Sequence, residues 1–354
     1  MNLNEICEVY SGYAFKEFHE DPTGNPVIKI GNITNNGSID TANCSYTNEI
    51  VSDRYLSRDG DIYIALSGAT TGKIGLMKEN NYCINQRVGV VRLLNNNIPI
   101  NYLCYFLQSK TKKILSDAAG AAQPNISPKD ISRYQFPERK VNEMTTISNE
   151  LLAIDNAIKV KKTELNNLNE LIKSQFIEMF DNKGYPSKIG NELFKFSSGK
   201  FLDVKKRLEA GIPVYGGNGI AWYTDESLVN DDTIIIGRVG AYCGNARLVR
   251  GDKWITDNAL YISKFKTNDF ELEFLEQLMI QYDFHQYAGA AAQPKITQKP
   301  LDEQMYLIPP KSEQIKFTEF VKQIDKSKFI VQKQINDLQE LLDSKMQEYF
   351  GEEE

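Results

Sequence analysis

Two stretches of the chain repeat apolar residues at alternating steps of four and three. The first runs Ile147, Leu151, Ile154, Ile158, Lys161, Leu165, Leu168 and Ile172. The second runs Phe317, Val321, Ile324, Lys328, Val331, Ile335, Leu338 and Leu342. A heptad spacing lines one narrow stripe of a helix and predicts a coiled-coil seam. Neither 143–180 nor 313–350 contains Gly or Pro, so each predicts one unbroken helix, about 57 Å long at about 1.5 Å per residue. Each rod has two simple alternatives, packing on its own neighbouring segment or dimerising with a second chain. The preferred expectation is pairing of the two rods within one chain. Rod one leads into residues 181–312 and rod two leaves them, so such a pair must run antiparallel. Lys161 and Lys328 each interrupt a stripe, where a polar seam residue can fix register.

Outside the rods the pattern shifts to short apolar runs punctuated by Gly, Pro and Asn, which predict strands and turns. Residues 1–142 and 181–312 follow one plan. A strand and turn follow Pro26 and Pro213. An apolar strand then enters a glycine loop over 61–77 and 233–249, with Gly68 and Gly72 matching Gly240 and Gly244. Ile84–Arg87, aligned with Thr256–Ala259, precedes a further strand. Helices are expected over 101–118 and 269–288, followed by Gln123-Pro124 and Gln293-Pro294. At the same offset of 170 residues Ile154-Asp155 recurs as Ile324-Asp325, Ser174 as Ser344 and Phe180 as Phe350. The fold class expected is α+β. Two similar mixed heads, 1–142 and 181–312, are separated by a pair of long antiparallel coiled-coil helices, 143–180 and 313–350, in a pseudo-two-fold internal repeat.

Composition narrows the function classes. At 354 residues the chain is long enough for two cores. No run approaches the ~20 apolar residues of a membrane span, and five scattered cysteines without a CxxC pair predict reduced thiols in a cytoplasmic protein. The net charge of −6 speaks against nucleic acid only until it is located. Residues 1–142 hold 15 Lys/Arg against 14 Asp/Glu and residues 181–312 hold 16 against 17, so the acidity lies in the rods and tail. A balanced head can still present a basic face.

Catalytic signals are missing. The two histidines, His19 and His285, have no catalytic neighbours in sequence, Asp231-Asp232 reads as a solvated turn, and no GxSxG, HExxH or GxGxxG pattern occurs. GATTGK at Gly68–Lys73 has three residues between its glycines and Ile74 where a P-loop needs Ser or Thr. Two readings of the glycine loops remain. They are hairpins that turn the chain, or they let the backbone approach a duplex while adjacent polar side chains meet phosphates and bases. The second reading nominates Lys29, Asn32, Ser67, Thr70, Thr71, Lys73, Gln86, Arg87, Gln123 and Lys129 in the first head. In the second it nominates Asn218, Arg238, Tyr242, Asn245, Asn258, Gln293, Lys295 and Lys299. Arg can read guanine bidentately, and Asn or Gln adenine.

Taken in order, GAAAQPKIT, then Ile308-Pro309-Pro310-Lys311-Ser312-Glu313-Gln314, then Ile324-Asp325, with a degraded first copy at Phe136-Pro137-Glu138, resemble the specificity subunit of type I restriction-modification systems. The resemblance covers essentially the whole chain, except that the segment preceding the first head is very short. It implies a non-catalytic subunit in which each head, a target recognition domain, reads one half of an interrupted double-stranded DNA sequence and the helix pair sets the spacing. It also implies two modification (methyltransferase) subunits docked on the helices, and restriction/translocase subunits in the full complex. S-adenosylmethionine, ATP and Mg are expected on those partners and no cofactor on this chain. The competing expectations are a scaffold with two protein-binding heads and the targeting subunit of another modification enzyme.

Overall fold

The computed structural model describes residues 1–94, 97–118, 124–240, 242–288 and 295–351. The chain divides into two compact units, Met1–Lys162 with Lys333–Glu354, and Thr163–Gln332.

In the first unit the short apolar runs form seven strands: β1 (Cys7–Ser11), β2 (Asn25–Ile28), β3 (Ser45–Thr47), β4 (Ile62–Ala65), β5 (Ile74–Leu76), β6 (Cys83–Ile84) and β7 (Val88–Leu93). An antiparallel sheet of order β1-β7-β4-β5 is joined by a smaller one of order β3-β2-β6, in which β2 and β6 run parallel. Helices α1 (Ile100–Ser109) and α2 (Thr111–Ala118) replace the single helix expected over 101–118, and α3 (Pro128–Ile131) follows. Ser127 caps α3 by accepting from Asp130 N, with Pro128 at the first helical position. Then comes α4 (Val141–Phe180).

The second unit repeats this frame after β8 (Ser187–Ile189) and the short α5 (Gly190–Leu193). Its strands are β9 (Phe194–Ser198), β10 (Ile212–Gly216), β11 (Gly219–Thr224), β12 (Thr233–Gly237), β13 (Ala246–Val249), β14 (Trp254–Ile255) and β15 (Ala259–Phe265). Sheet order β9-β15-β12-β13 matches β1-β7-β4-β5, and β11-β10-β14 matches β3-β2-β6, including the parallel pair. Helix α6 (Leu272–Gln281) ends well short of the expected 288, because Asp283 takes a left-handed conformation (φ 46°) and a 3-10 turn follows at Phe284–Tyr287. After it come α7 (Gln298–Glu303), β16 (Met305–Leu307) and α8 (Lys311–Phe350).

Both long helices contribute to both units, and the packing inside each unit shows their sense. In the first, Glu150 of α4 accepts from the Tyr349 hydroxyl of α8 at 2.6 Å and pairs with Lys345 at 3.4 Å. In the second, Phe176 and Phe180 near the end of α4 stack edge-on against Phe317 near the start of α8, with centroids 5.6 and 5.4 Å apart. The helices are antiparallel. All sixteen seam positions named from the heptads are buried or half-buried, whereas Leu171 and Leu341 just off the stripe are exposed. Lys328 keeps its seam position by pairing with Asp325 at 3.2 Å.

Each helix also ends inside a head. Phe350 lies 5.0 Å from the Tyr102 ring and 6.1 Å from Phe106 in the first unit. Its counterpart Phe180 lies 5.2 Å from Phe274 in the second. Each core is thus closed by an aromatic brought in from a rod. The second head pairs β16 with β8 over three residues; in the first an Asn2–Gln135 bridge takes the matching place, and Leu3 is fully buried.

Candidate nucleic-acid interface

In each head three segments meet at one backbone position. In the first, Leu66 N donates to Arg87 O and Leu66 O accepts from Ile126 N, both at 2.9 Å. That position joins the glycine loop, the turn before β7 and the segment that follows the Gln-Pro loop. In the second, Arg238 N donates to Asn258 O and Arg238 O accepts from Ile296 N, again at 2.9 Å. A fourth segment, the turn after β2 or β10, reaches the same place. A Cβ on Gly68 would lie 3.8 Å from Ile30, and one on Gly217 would lie 3.1 Å from Asn258 O. The Ser67–Asn125 and Val239–Lys295 bridges complete the junction. Four segments with divergent side chains converge on one repeated frame.

The hydrogen bonds also correct the alignment. Gly12 N donates to Val88 O as Gly199 N donates to Ala259 O, so Arg87 is equivalent to Asn258, and Asn85 to Thr256. This is one residue away from the register expected for 84–87. The cause is the turn after β5, which is one residue longer than the turn after β13. Gly12 and Gly199 explain the close approach. A Cβ at either would sit 2.3 Å from Ile84 O or 2.1 Å from Thr256 O.

The glycine loops join antiparallel strands, β4 to β5 and β12 to β13, rather than a strand to a helix. Ala65 O accepts from Gly72 N, and Gly237 O from Gly244 N. Gly68, Gly72, Gly240 and Gly244 all hold φ between 80° and 88°, which side chains resist. The hairpin reading is therefore correct as local structure, and it presents the loop at the junction.

The nominated side chains divide into exposed and engaged. Gln86, Arg87 and Lys129 of the first head are exposed, as are Asn218, Tyr242, Asn245, Asn258, Lys295 and Lys299 of the second. Ser67 and Lys73 are half-buried. Lys299 shares its charge with Glu303 at 3.6 Å. Lys29 is turned aside, with Nζ 2.9 Å from Ser45 Oγ and 3.7 Å from the Phe18 ring centroid. Asn32 and Thr71 are corrections. Asn32 is buried, and its amide donates to Asp40 O and Asn43 O at 2.9 Å. Thr71 donates to Gly68 O at 2.7 Å. Both hold loops together. Thr70 Oγ1 is buried without a partner among the described residues. Gln123 and Gln293 lie outside the described residues.

Arg238 differs most from expectation. By register it replaces Leu66, a buried member of the first core, rather than a polar loop residue. Its Nη1 lies 3.4 Å from Ser198 Oγ and 3.3 Å from Asp257 O, while Nε is buried and unpartnered among the described residues. The second head has an open concavity of about 670 Å³ lined by Arg238, Ser198, Thr297, Gln298, Lys299 and Asp302 among others. Partial burial raises the Asp302 carboxyl above its ordinary range, against the pull of Lys266. Ser198, Thr297 and Gln298, which line that concavity, were not nominated from the sequence, where their place after a strand or near the Gln-Pro loop is the sole signal.

A family model described as the type I restriction modification DNA specificity domain matches residues 1–170 and 186–340. The chain belongs to that family. Relatives include the type I restriction enzyme EcoprrI specificity subunit of Escherichia coli, 29% identical over 129 residues, covering 35% of this chain and 32% of that protein. The MjaVIII specificity subunit of Methanocaldococcus jannaschii is 29% identical over 174 residues, covering 46% and 41%. The matched stretches thus span less than half of these two relatives. Two solved structures share the fold of the specificity domain over nearly the full length of both chains. The type I restriction-modification S subunit from M. genitalium has a TM-score of 0.58 at 19% identity, covering 100% of this chain and 96% of that one. A chain solved in work on assembly and conformational transition of the type I R-M system has a TM-score of 0.59 at 14% identity, covering 99% and 96%. The specificity domain is present here in two copies. Among the described residues no helix is long and apolar enough to cross a membrane, and no group of three or more His, Cys, Asp and Glu is placed to hold a metal.

Proposed function

We propose that this chain is the DNA-reading subunit of a type I restriction-modification complex, with each head reading one half of a bipartite duplex sequence. The observation that carries this reading is the four-loop junction. Both heads build it with the same backbone hydrogen bonds and furnish it with different side chains, Leu66 and Arg87 in one, Arg238 and Asn258 in the other. Exposed Arg87, Asn218 and Asn258 supply base-edge donors and acceptors, and Lys129 and Lys295 supply phosphate contacts. The 40-residue helices α4 and α8 set the spacing of the half-sites and receive two modification subunits. Those partners bind S-adenosylmethionine and methylate adenine after extruding it from the stack, and restriction subunits add ATP- and Mg-dependent cleavage.

The test is to replace residues 181–312 with the second head of another family member and map methylated adenines in a host carrying the modification subunit. One half of the recognised sequence should change while the other half and the spacer persist. Alteration of both halves, or of neither, defeats the assignment of one half-site per head.

A further inference from the structure

The loop between β1 and β2 and its counterpart between β9 and β10 differ in both length and chemistry. Their ends are fixed identically. Tyr13 N donates to Ile84 O and Lys200 N to Ile255 O; His19 N donates to Tyr46 O and Leu208 N to Tyr223 O. Between these anchors the second head has two more residues and a different chemistry. In the first, Lys16 and Glu17 cancel, and both their backbone amides donate to Glu49 Oε1 at 2.7 and 3.2 Å, which pins the loop to a carboxylate. In the second, Lys200, Lys205, Lys206 and Arg207 face a single Asp203, whose carboxylate is spent capping a 3-10 turn through Lys205 N at 2.9 Å. Lys206 pairs with Glu226. Lys200, Lys205 and Arg207 are exposed, and no ion pair to them occurs among the described residues.

The apolar side chains point the same way. Phe15 and its equivalent Leu202 are both buried, but Ala14 is replaced by Phe201, which is 73% exposed, and Val204 beside it is 62% exposed. The loop leaves the sheet beside the junction, since Ser198 meets Arg238 and Gly199 N bonds Ala259 O. Unpaired cations interleaved with an exposed aromatic ring form a surface for a polyanion with an apolar interior edge.

We propose that Lys200–Leu208 is a duplex-gripping loop that the second head has and the first lacks. Lys200, Lys205 and Arg207 neutralise phosphates, and Phe201 lies against sugars and base edges flanking the half-site. The assignment rests on the DNA-reading function. It predicts that the two half-sites are held unequally, the second by the stronger electrostatic grip.

The test is the salt dependence of duplex binding by the full chain in its assembled complex. Each phosphate contact contributes about 0.9 to the slope of log affinity against log salt. The triple variant Lys200→Ala, Lys205→Ala, Arg207→Ala should flatten that slope by about 2.7. Between about 50 and about 200 mM salt it should therefore lose about 40-fold less affinity than the parent. Phe201→Ser should weaken binding about fivefold or more at every salt concentration with an unchanged slope. Lys16→Ala in the first head should leave both quantities unchanged. A parent complex that binds duplex steeply with salt while the triple variant keeps the same slope overturns the loop assignment and leaves DNA reading intact. A parent complex that binds no duplex at any salt removes DNA reading, and this assignment with it.

Discussion

The first head carries a buried ion pair in its sheet where the second carries a buried threonine and an exposed serine. Asp61 and Arg92 are both buried, linked Nε–Oδ1 at 2.7 Å and Nη2–Oδ2 at 2.6 Å, and Arg92 also donates to Leu56 O at 2.9 Å. By register their counterparts are Thr233, donating to Ile262 O at 2.7 Å, and Ser263, bonded to Ser197 at 2.8 Å. The same four-stranded order tolerates either solution. At this place in the sheet each buried polar group has a partner, although the groups themselves differ. The same strand order thus accommodates different polar residues while the strands keep their pairing.

The comparison breaks first at the rod ends. Phe350→Ala should destabilise the first unit, and Phe180→Ala the second, by about 3–5 kcal/mol each. Hydrogen exchange resolved by unit should show each loss confined to its own side. Asp61→Ala should also cost about 3–5 kcal/mol by stranding Arg92, whereas Thr233→Val should cost only about 1 kcal/mol. Equal costs in denaturant titration would mean that the two interiors are not alternatives. Gly12→Ala and Gly199→Ala should each cost about 1–3 kcal/mol, because carbonyl oxygens must move aside.

The smallest effect is in pH dependence. Glu276 of α6 occupies the place of Cys104 in α1. Burial raises its carboxyl above the ordinary value, against the bond from Leu248 N, while burial pushes the Cys104 thiol up to about 12. The folded second head therefore keeps the Glu276 proton to higher pH than the unfolded chain does. Its stability should fall as pH rises from near 4.5 through the raised value. Glu276→Gln should flatten that decline in a series of melting temperatures from acid to neutral pH. The first head, whose counterpart ionises only near 12, should show none at this position.

The helices were legible because a heptad needs only periodicity, and the repeat was legible because Gln-Pro and Ile-Asp recur at one offset. The succession of strands, glycine loop and helix along each head could be read from its turns, but the order of the strands within the sheets could not. The site was harder to read. Asn32 and Thr71 stand beside glycines and look like loop donors, but whether a polar side chain turns inward depends on which carbonyls fold over it. Arg238 looked like a loop residue because an arginine in a leucine's place is visible only once the two sheets are superposed by their hydrogen bonds. The cations of 200–207 were diluted in a head whose total charge is nearly zero, although Lys205-Lys206-Arg207 stood in plain sight beside a phenylalanine.

The way the rods end has a consequence for how this protein comes off the ribosome. The second unit is one uninterrupted stretch, Thr163–Gln332, but the first borrows Lys333–Glu354, including the ring of Phe350 that sits on Tyr102. The half that is translated first must therefore wait, with an unfilled hole among its aromatics, until the last turn of the final helix has emerged.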